Sequence, residues 1–380
     1  MTPSHTSLEF DRARPTPQGM EEQRGVDRTE SGSFAAQPGF DWGMMLLGAA
    51  FVGGLFLDGW AHRHGRVDNS FFTPWHAVLY GGWGACLLTL GATFGAGLAK
   101  GRGWRSALPA GYGLSLVGAM LWLIGGPADL LWHELFGFEA DVEALLSPSH
   151  FILALGMALV VTGPLRSVWR RADVADWGEC MLAPLSLTLL LSVITFFTLM
   201  GHPMATMPGS AVRGVAFRSL PPTVIMTLQA NAVIGLLYWT MLLMGMVLLI
   251  LGRARAPLGA LTVMIGANAI AMGFMYPGER GPYPLAPVLA FVLVGVIADA
   301  LYLTLQPHAE RPRAWRRFAF ALPVVMMLAY FISVRLTYGL TWTIHLWLGT
   351  VIFCGVLGWL MSYLVVPWRP AAAMTSPREF

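Results

Sequence analysis

Apolar runs of about 20 residues recur along the chain, and each is long enough to cross the hydrocarbon core of a bilayer as a helix. Inside lipid every backbone N–H and C=O must be paired within the protein, so only helices or closed barrels can span. The period-two alternation of barrel strands is absent, which leaves helices. With 56% hydrophobic and 12% charged residues, a soluble domain is excluded. The expected fold is all-α, a polytopic transmembrane helix bundle of about ten spans near residues 40–60, 75–98, 107–131, 149–167, 180–201, 223–251, 257–276, 285–307, 317–336 and 345–366. The first four spans fall in residues 39–168 and a further six-span bundle in 169–367. Residues 1–38, rich in Pro, Ser, Gly, Arg and Glu and without the apolar stretch of a cleavable signal peptide, are expected to be a disordered cytoplasmic tail, and 368–380 a C-terminal tail.

Short loops rich in Lys and Arg stay in the cytoplasm. The even-numbered turns between spans carry 12 basic residues, Lys100, Arg166, Arg253 and Arg311 among them, against five in the odd-numbered turns. Both termini are therefore expected on the cytoplasmic side of a bacterial-type inner (cytoplasmic) membrane. The lipid bilayer is the expected partner, and no nucleic acid is. This topology sends seven of the nine histidines, His62, His64, His76, His133, His150, His202 and His345, to the outer face. Such a cluster of imidazoles suggests metal chemistry there. Cys86, Cys180 and Cys354 fall singly in separate spans, so neither a disulfide framework nor a thiolate site is expected.

The first outer hairpin reads DGWAHRHGRVDNSFFTPWHAVLYGG and the second DLLWHELFGFEADVEALLSPSHFILALG. Both contain D-x-x-x-H, a loop, and [ST]-P-x-H opening the next helix. Asp58 and Asp129 stand 71 residues apart, as a duplicated pair of helical hairpins predicts. Asp58 with His62, and Asp129 with His133, are i and i+4 near a helix end, so each pair shares a face. Thr73 or Ser147 can cap the return helix, with Pro74 or Pro148 as its first residue, which puts His76 or His150 in the first turn. Two imidazoles and one carboxylate suit copper, zinc or iron and leave coordination positions open. A single D-x-x-x-H reads more readily as interfacial polarity; its repetition with cap, proline and returning histidine favours metal binding by Asp58, His62, His76, Asp129, His133 and His150.

Asp58, His62, SFFTPWH and VLYGG resemble the copper-binding stretch of the C subunit of particulate methane and ammonia monooxygenases, over residues 45–165. The resemblance implies that Asp58, His62 and His76 are ligands of a first copper site near the outer face, with His133 and His150 in a second. It also implies partner subunits and an external electron donor. In this chain Asp129 replaces the family's Asn, the second loop is longer and several spans follow, and the added carboxylate admits iron or zinc beside copper.

Other candidates are weaker. Glu134, Glu139, Asp141 and Glu143 join Asp129 in making the second loop acidic, and Glu134 can act as a neighbouring carboxylate. His64 can add a ligand beside His62, or point to another helix face. LMGHPMATM groups Met200, His202, Met204 and Met207 in a set suited to Cu(I), although coincidence is the better reading in a chain with 21 methionines. Asp299, Asn231, Asn268 and Arg335 are costly inside spans, and an Asp299–Arg335 pair would be structural as readily as functional. The Trp and Tyr residues at span ends, Trp60 and Trp75 among them, fit an interfacial belt.

The leading expectation is copper-dependent, monooxygenase-like oxidation of a small apolar substrate, or a subunit of such a complex. Copper handling or transport is the alternative, and zinc-dependent membrane hydrolysis the third.

Overall fold

The computed structural model describes residues 34–66, 73–137, 142–171, 176–211, 220–253, 256–276, 283–308 and 310–365. Most of both tails, with Glu139 and Asp141, lies outside them. The described chain is helical, with no strand and one isolated bridge between Ser210 and Leu340.

The first half comprises α1 (Pro38–Arg63), α2 (Pro74–Ala99), α3 (Gly113–Phe136), the one-turn α4 (Glu143–Leu146), α5 (Pro148–Val161) and α6 (Gly163–Val168). The second comprises α7 (Trp177–Phe197), a 3-10 turn (Leu199–Gly201), α8 (Pro203–Thr206), α9 (Pro222–Arg253), α10 (Ala260–Phe274), α11 (Leu285–Leu305), α12 (Pro312–Thr337) and α13 (Ile344–Val365). Eight of these, α1, α2, α3, α7, α9, α11, α12 and α13, are long and apolar enough to cross a membrane, which makes this a multi-pass membrane protein. The other two apolar helices, α5 and α10, are shorter. The fourth expected span is broken at Thr162, where Gly163 and Pro164 restart the chain as α6. The third begins six residues later than expected, because Pro109 and a left-handed Gly111 (φ 99°) hold residues 107–112 in turns.

Two antiparallel hairpins, α1/α2 and α3/α5, lie side by side, and α7 packs across α1, α5 and α10. The end of the bundle remote from the hairpin loops is closed by a buried polar clasp. Asp41, fully buried near the start of α1, accepts hydrogen bonds from Tyr112 Oη (2.6 Å), Ser167 Oγ (3.2 Å) and the Arg171 guanidinium, which also donates to Glu179 (3.1 Å). A carboxylate taken out of water needs such partners. Arg166 bridges the α5/α6 break, donating to the carbonyls of Leu159 and Gly111 and to the hydroxyls of Thr162 and Ser115.

Asp299 has another role than the Arg335 pair considered above. Its carboxylate accepts from the backbone N–H groups of Leu261 (3.3 Å) and Thr262 (3.0 Å) and from Thr262 Oγ1 (2.5 Å). It caps α10 from a neighbouring helix, since the residue in the capping position, Gly259, has no side chain to do so. Arg335 is exposed.

Candidate metal centre

Both hairpins deliver their polar residues by the same local rules. Thr73 accepts from the His76 backbone N–H at 3.1 Å and Ser147 from that of His150 at 3.3 Å, each with proline as the first helical residue. The cap fixes where the first turn begins, so each returning histidine meets the last turns of the preceding helix. The helices can come that close because both hairpins place glycine at matching positions. A β-carbon at Gly54, four residues before Asp58, would lie 2.7 Å from the Leu79 Cα, and one at Gly125, four before Asp129, 2.8 Å from Leu153 Cδ2. Gly82 and Gly156, six residues after the two histidines, sit equally tightly, 2.7 Å from Phe51 Cα and 2.6 Å from Trp122 Cδ1. Phe51 and Trp122 occupy equivalent places, seven residues before the aspartates, and their rings meet edge to face at 4.7 Å between the hairpins. The shared pattern is thus wider than the polar residues alone: G-x-x-x-D-x-x-x-H followed by [ST]-P-x-H-x-x-L-x-x-G.

Among the described residues, Asp58 with His62 and His76, and Asp129 with His133 and His150, each offer three candidate ligand atoms within 4.8 Å of one another. In group one, Asp58 Oδ1 lies 3.1 Å from His76 Nδ1 and Asp58 Oδ2 lies 3.8 Å from His62 Nε2. In group two, Asp129 Oδ2 lies 3.5 Å from His133 Nε2 and Oδ1 lies 3.5 Å from His150 Nε2. Most of these separations are long for charge-assisted hydrogen bonds, which run about 2.7–2.9 Å. The two 3.5 Å separations of group two fall within the edge length of a tetrahedron around an ion bound at about 2.0–2.2 Å, roughly 3.3–3.6 Å, and the 3.1 and 3.8 Å of group one fall on either side of it.

Hydrogen-bond direction in group two sharpens this. An ionised Asp129 only accepts, so Ser149 Oγ donates to it at 2.6 Å. Ser149 has then spent its proton, which leaves Ser147 two arrangements. Ser147 either donates to Ser149 across their 3.1 Å contact and accepts from His150 Nδ1 at 2.8 Å, which turns the Nε2 lone pair towards Asp129, or donates to His150 Nδ1, which turns Nε2–H towards Asp129. His133 Nδ1 donates to the Gly137 carbonyl over a longer 3.4 Å, again directing Nε2 inward. In the first arrangement two imidazole lone pairs face a carboxylate that is 4% exposed, which repels unless a cation or added protons lie between them. In group one the buried Asp58 Oδ1 makes no hydrogen bond, its near neighbour His76 Nδ1 being shared with Thr73 Oγ1 at 3.1 Å.

The remaining candidates fall elsewhere. His64 Nδ1 donates to the Trp60 carbonyl at 2.8 Å, and the imidazole stacks on that indole and takes no part in group one. Glu134 and Glu143 are exposed and belong to neither group. Asn231 is exposed as well. His202 is buried away from both groups: its Nδ1 accepts from Met204 N–H at 3.2 Å, and Nε2 donates to Asn268 Oδ1 at 3.1 Å. Both nitrogens are thereby committed, which removes His202 from the methionine-rich Cu(I) set. Burial pushes its pKa down to about 3, against the opposing Asn268 hydrogen bond.

Sequence reasoning also passed over Tyr80, one turn beyond His76. Its ring lies nearly parallel to that imidazole, with centroids 6.3 Å apart, and it feels the charge of both Asp58 and Asp129. Its signal in the sequence is a departure from the repeat: the equivalent residue of the second hairpin is Ala154. No protein-family model, characterised protein or solved structure matches the chain.

Proposed function

We propose that this protein is an integral membrane metalloprotein that holds transition-metal ions in its two Asp/His/His groups. We further propose that it supports copper-dependent oxidation of a small apolar substrate, alone or within a complex supplied by an external electron donor. The observation that carries the reading is the convergence, twice over, of one carboxylate and two imidazoles whose ligand atoms lie within 4.8 Å of one another. On this reading Asp58, His62 and His76 hold one ion and Asp129, His133 and His150 the other, with the chain crossing the bilayer ten times and both groups at its outer face. Three protein ligands leave positions open on each ion, and copper bound there would supply the electron-transfer chemistry. The protein's own part is to fix the imidazole tautomers, keep the carboxylates dry and present the site beside lipid. α2 buries only 17% of its most apolar stretch inside the protein, so an apolar molecule dissolved in the bilayer can approach along its surface. Copper also agrees with the resemblance of residues 45–165 to the monooxygenase C subunit.

Hydrolysis at zinc requires a carboxylate base at the ion, and Glu134 is exposed and outside both groups. The test is metal analysis with electron paramagnetic resonance on purified protein, comparing the native chain with His62→Ala and His133→Ala. The reading expects copper in the native protein and the loss of one spectroscopically distinct ion in each variant. Zinc in place of copper would overturn the oxidation chemistry; a native chain reconstituted with copper, zinc and iron that retains none would overturn the metal sites.

A further inference from the structure

The two hairpins are near copies around their polar groups, so a place where both depart from the repeat at once is informative. Tyr80 stands where the second hairpin has Ala154, and Gly126 stands where the first hairpin has the buried Leu55. These two exceptions touch. A β-carbon at Gly126 would lie 2.9 Å from the Tyr80 phenol oxygen and 3.2 Å from its Cε1, so the phenol fits only because this turn of α3 has no side chain. One hairpin carries an aromatic ring and the other lacks a side chain in the space that the ring enters.

The position of that ring matters because each edge reaches a different metal group. One face lies against His76, one turn earlier on α2. The hydroxyl end reaches α3 three residues before Asp129. Asp58 and Asp129 both act electrostatically on the phenol, and His62 in turn feels His133 and His150, so the two groups share one end of the bundle within range of each other. Trp83 and Trp122 hold the ring from below, at centroid distances of 6.0 and 5.6 Å. Both indoles are anchored by donating to backbone carbonyls, Trp83 to Ala119 (2.9 Å) and Trp122 to Leu153 (2.6 Å). Tyr80 therefore has little freedom to move independently of the helices that carry the ligands.

We infer that Tyr80 is a positioning residue common to both metal groups, its ring setting the plane of His76 and its hydroxyl end setting the turn of α3 that carries Asp129. This rests on the metal-binding reading of the two groups. It predicts an asymmetry that general packing does not: Tyr80→Phe, which keeps the ring, affects only the Asp129 group, whereas Tyr80→Leu affects both.

The test uses the full chain in lipid nanodiscs, titrated with Cu(II) and with Co(II) and followed by calorimetry and by the spectrum of the bound ion. A His62→Ala background isolates the Asp129 group and a His133→Ala background isolates the Asp58 group. Loss of an outer partner of a metal ligand typically weakens binding about 10-fold or more. Tyr80→Phe is expected to weaken the Asp129 group by about that factor and alter its spectrum while leaving the Asp58 group within about twofold. Gly126→Ala, which displaces the phenol, should reproduce the effect, and Tyr80→Leu should weaken both groups. A Tyr80→Phe protein indistinguishable from native at the Asp129 group, or equally impaired at both, overturns the inference. Failure of the native chain to bind either ion overturns the metal-binding reading as well, so the two failures are told apart by the native titration.

Discussion

Acidification should destabilise this protein through one buried histidine that lies outside both metal groups. His202 is 1% exposed, and its hydrogen bonds run in one direction: Met204 N–H to Nδ1, Nε2–H to Asn268, Asn268 Nδ2 to Thr195 Oγ1 (2.8 Å), and Thr195 to the Leu191 carbonyl (2.8 Å). A second proton has to go on Nδ1, where it would evict the Met204 N–H. Burial accordingly holds the folded-state pKa at about 3, below the ordinary 6.5. Above pH 6.5 neither state of the protein carries this proton and His202 contributes no pH dependence. Below it the unfolded chain binds a proton that the folded chain refuses, so stability falls, by up to about 1.4 kcal/mol per pH unit, until the pH approaches the folded-state value. At pH 4.5 the loss is on the order of 2.5 kcal/mol. Carboxylates and the site histidines titrate over the same range, so the diagnostic quantity is the difference between native protein and His202→Gln, which keeps one donor and one acceptor. Unfolding in detergent followed from pH 7.5 to 4.5 should show the native protein losing more stability than the variant. Parallel curves would refute the argument, as would Cu(I) binding that disappears in His202→Gln but survives loss of the two metal groups.

Three further outcomes are expected. Arg171→Ala leaves the fully buried Asp41 with only two hydroxyl donors and should cost about 3–5 kcal/mol in unfolding assays; Arg171→Met with Asp41→Leu should recover much of it. Gly82→Ala puts a methyl group 2.7 Å from the Phe51 backbone and should part α1 from α2, abolishing ion binding at the Asp58 group before that at the Asp129 group, as read by metal analysis. Ser149→Ala removes the donor on Asp129 Oδ1 and should change the spectrum of an ion at the Asp129 group while sparing the Asp58 group; identical spectra would dismiss the hydrogen-bond chain.

The six polar residues of the two groups were legible in the sequence because their arrangement is set locally. An i, i+4 pair shares a helix face whatever surrounds it, and a capping hydroxyl followed by proline fixes a first turn. The residues that bring those pieces together were not legible. Gly54 and Gly82 have meaning only once α1 and α2 are seen in contact, and the fit of Tyr80 into Gly126 joins different hairpins. Asp41 and Arg171 pair across 130 positions of sequence. Asp299 shows the limit well: an acidic residue in an apolar span demands a partner, but only the packing of α11 on α10 reveals that the partner is a helix terminus and not Arg335. Likewise Pro109 was visible, while the left-handed turn at Gly111 that delays α3 was not.

The repeat that made the two groups recognisable also makes their differences interpretable. In P-x-H the middle residue is Trp75 in one hairpin and Ser149 in the other. Trp75 turns away to donate to the Arg66 carbonyl at 3.3 Å, whereas Ser149 turns inward and donates to Asp129. Asp58 thus offers an oxygen with no hydrogen bond, and Asp129 one that already accepts from a hydroxyl. Access differs in the same sense: the His62 side chain is 43% exposed and its counterpart His133 only 11%. The imidazoles differ too, His76 presenting Nδ1 to its carboxylate and His150 Nε2. A more open group exchanges ions and ligands with solution readily, while a shielded and hydrogen-bonded one holds what it binds in fixed geometry. On the proposed reading, then, one hairpin is suited to open chemistry and the other to retention, and the phenol of Tyr80 stands where a change at either is felt by the other.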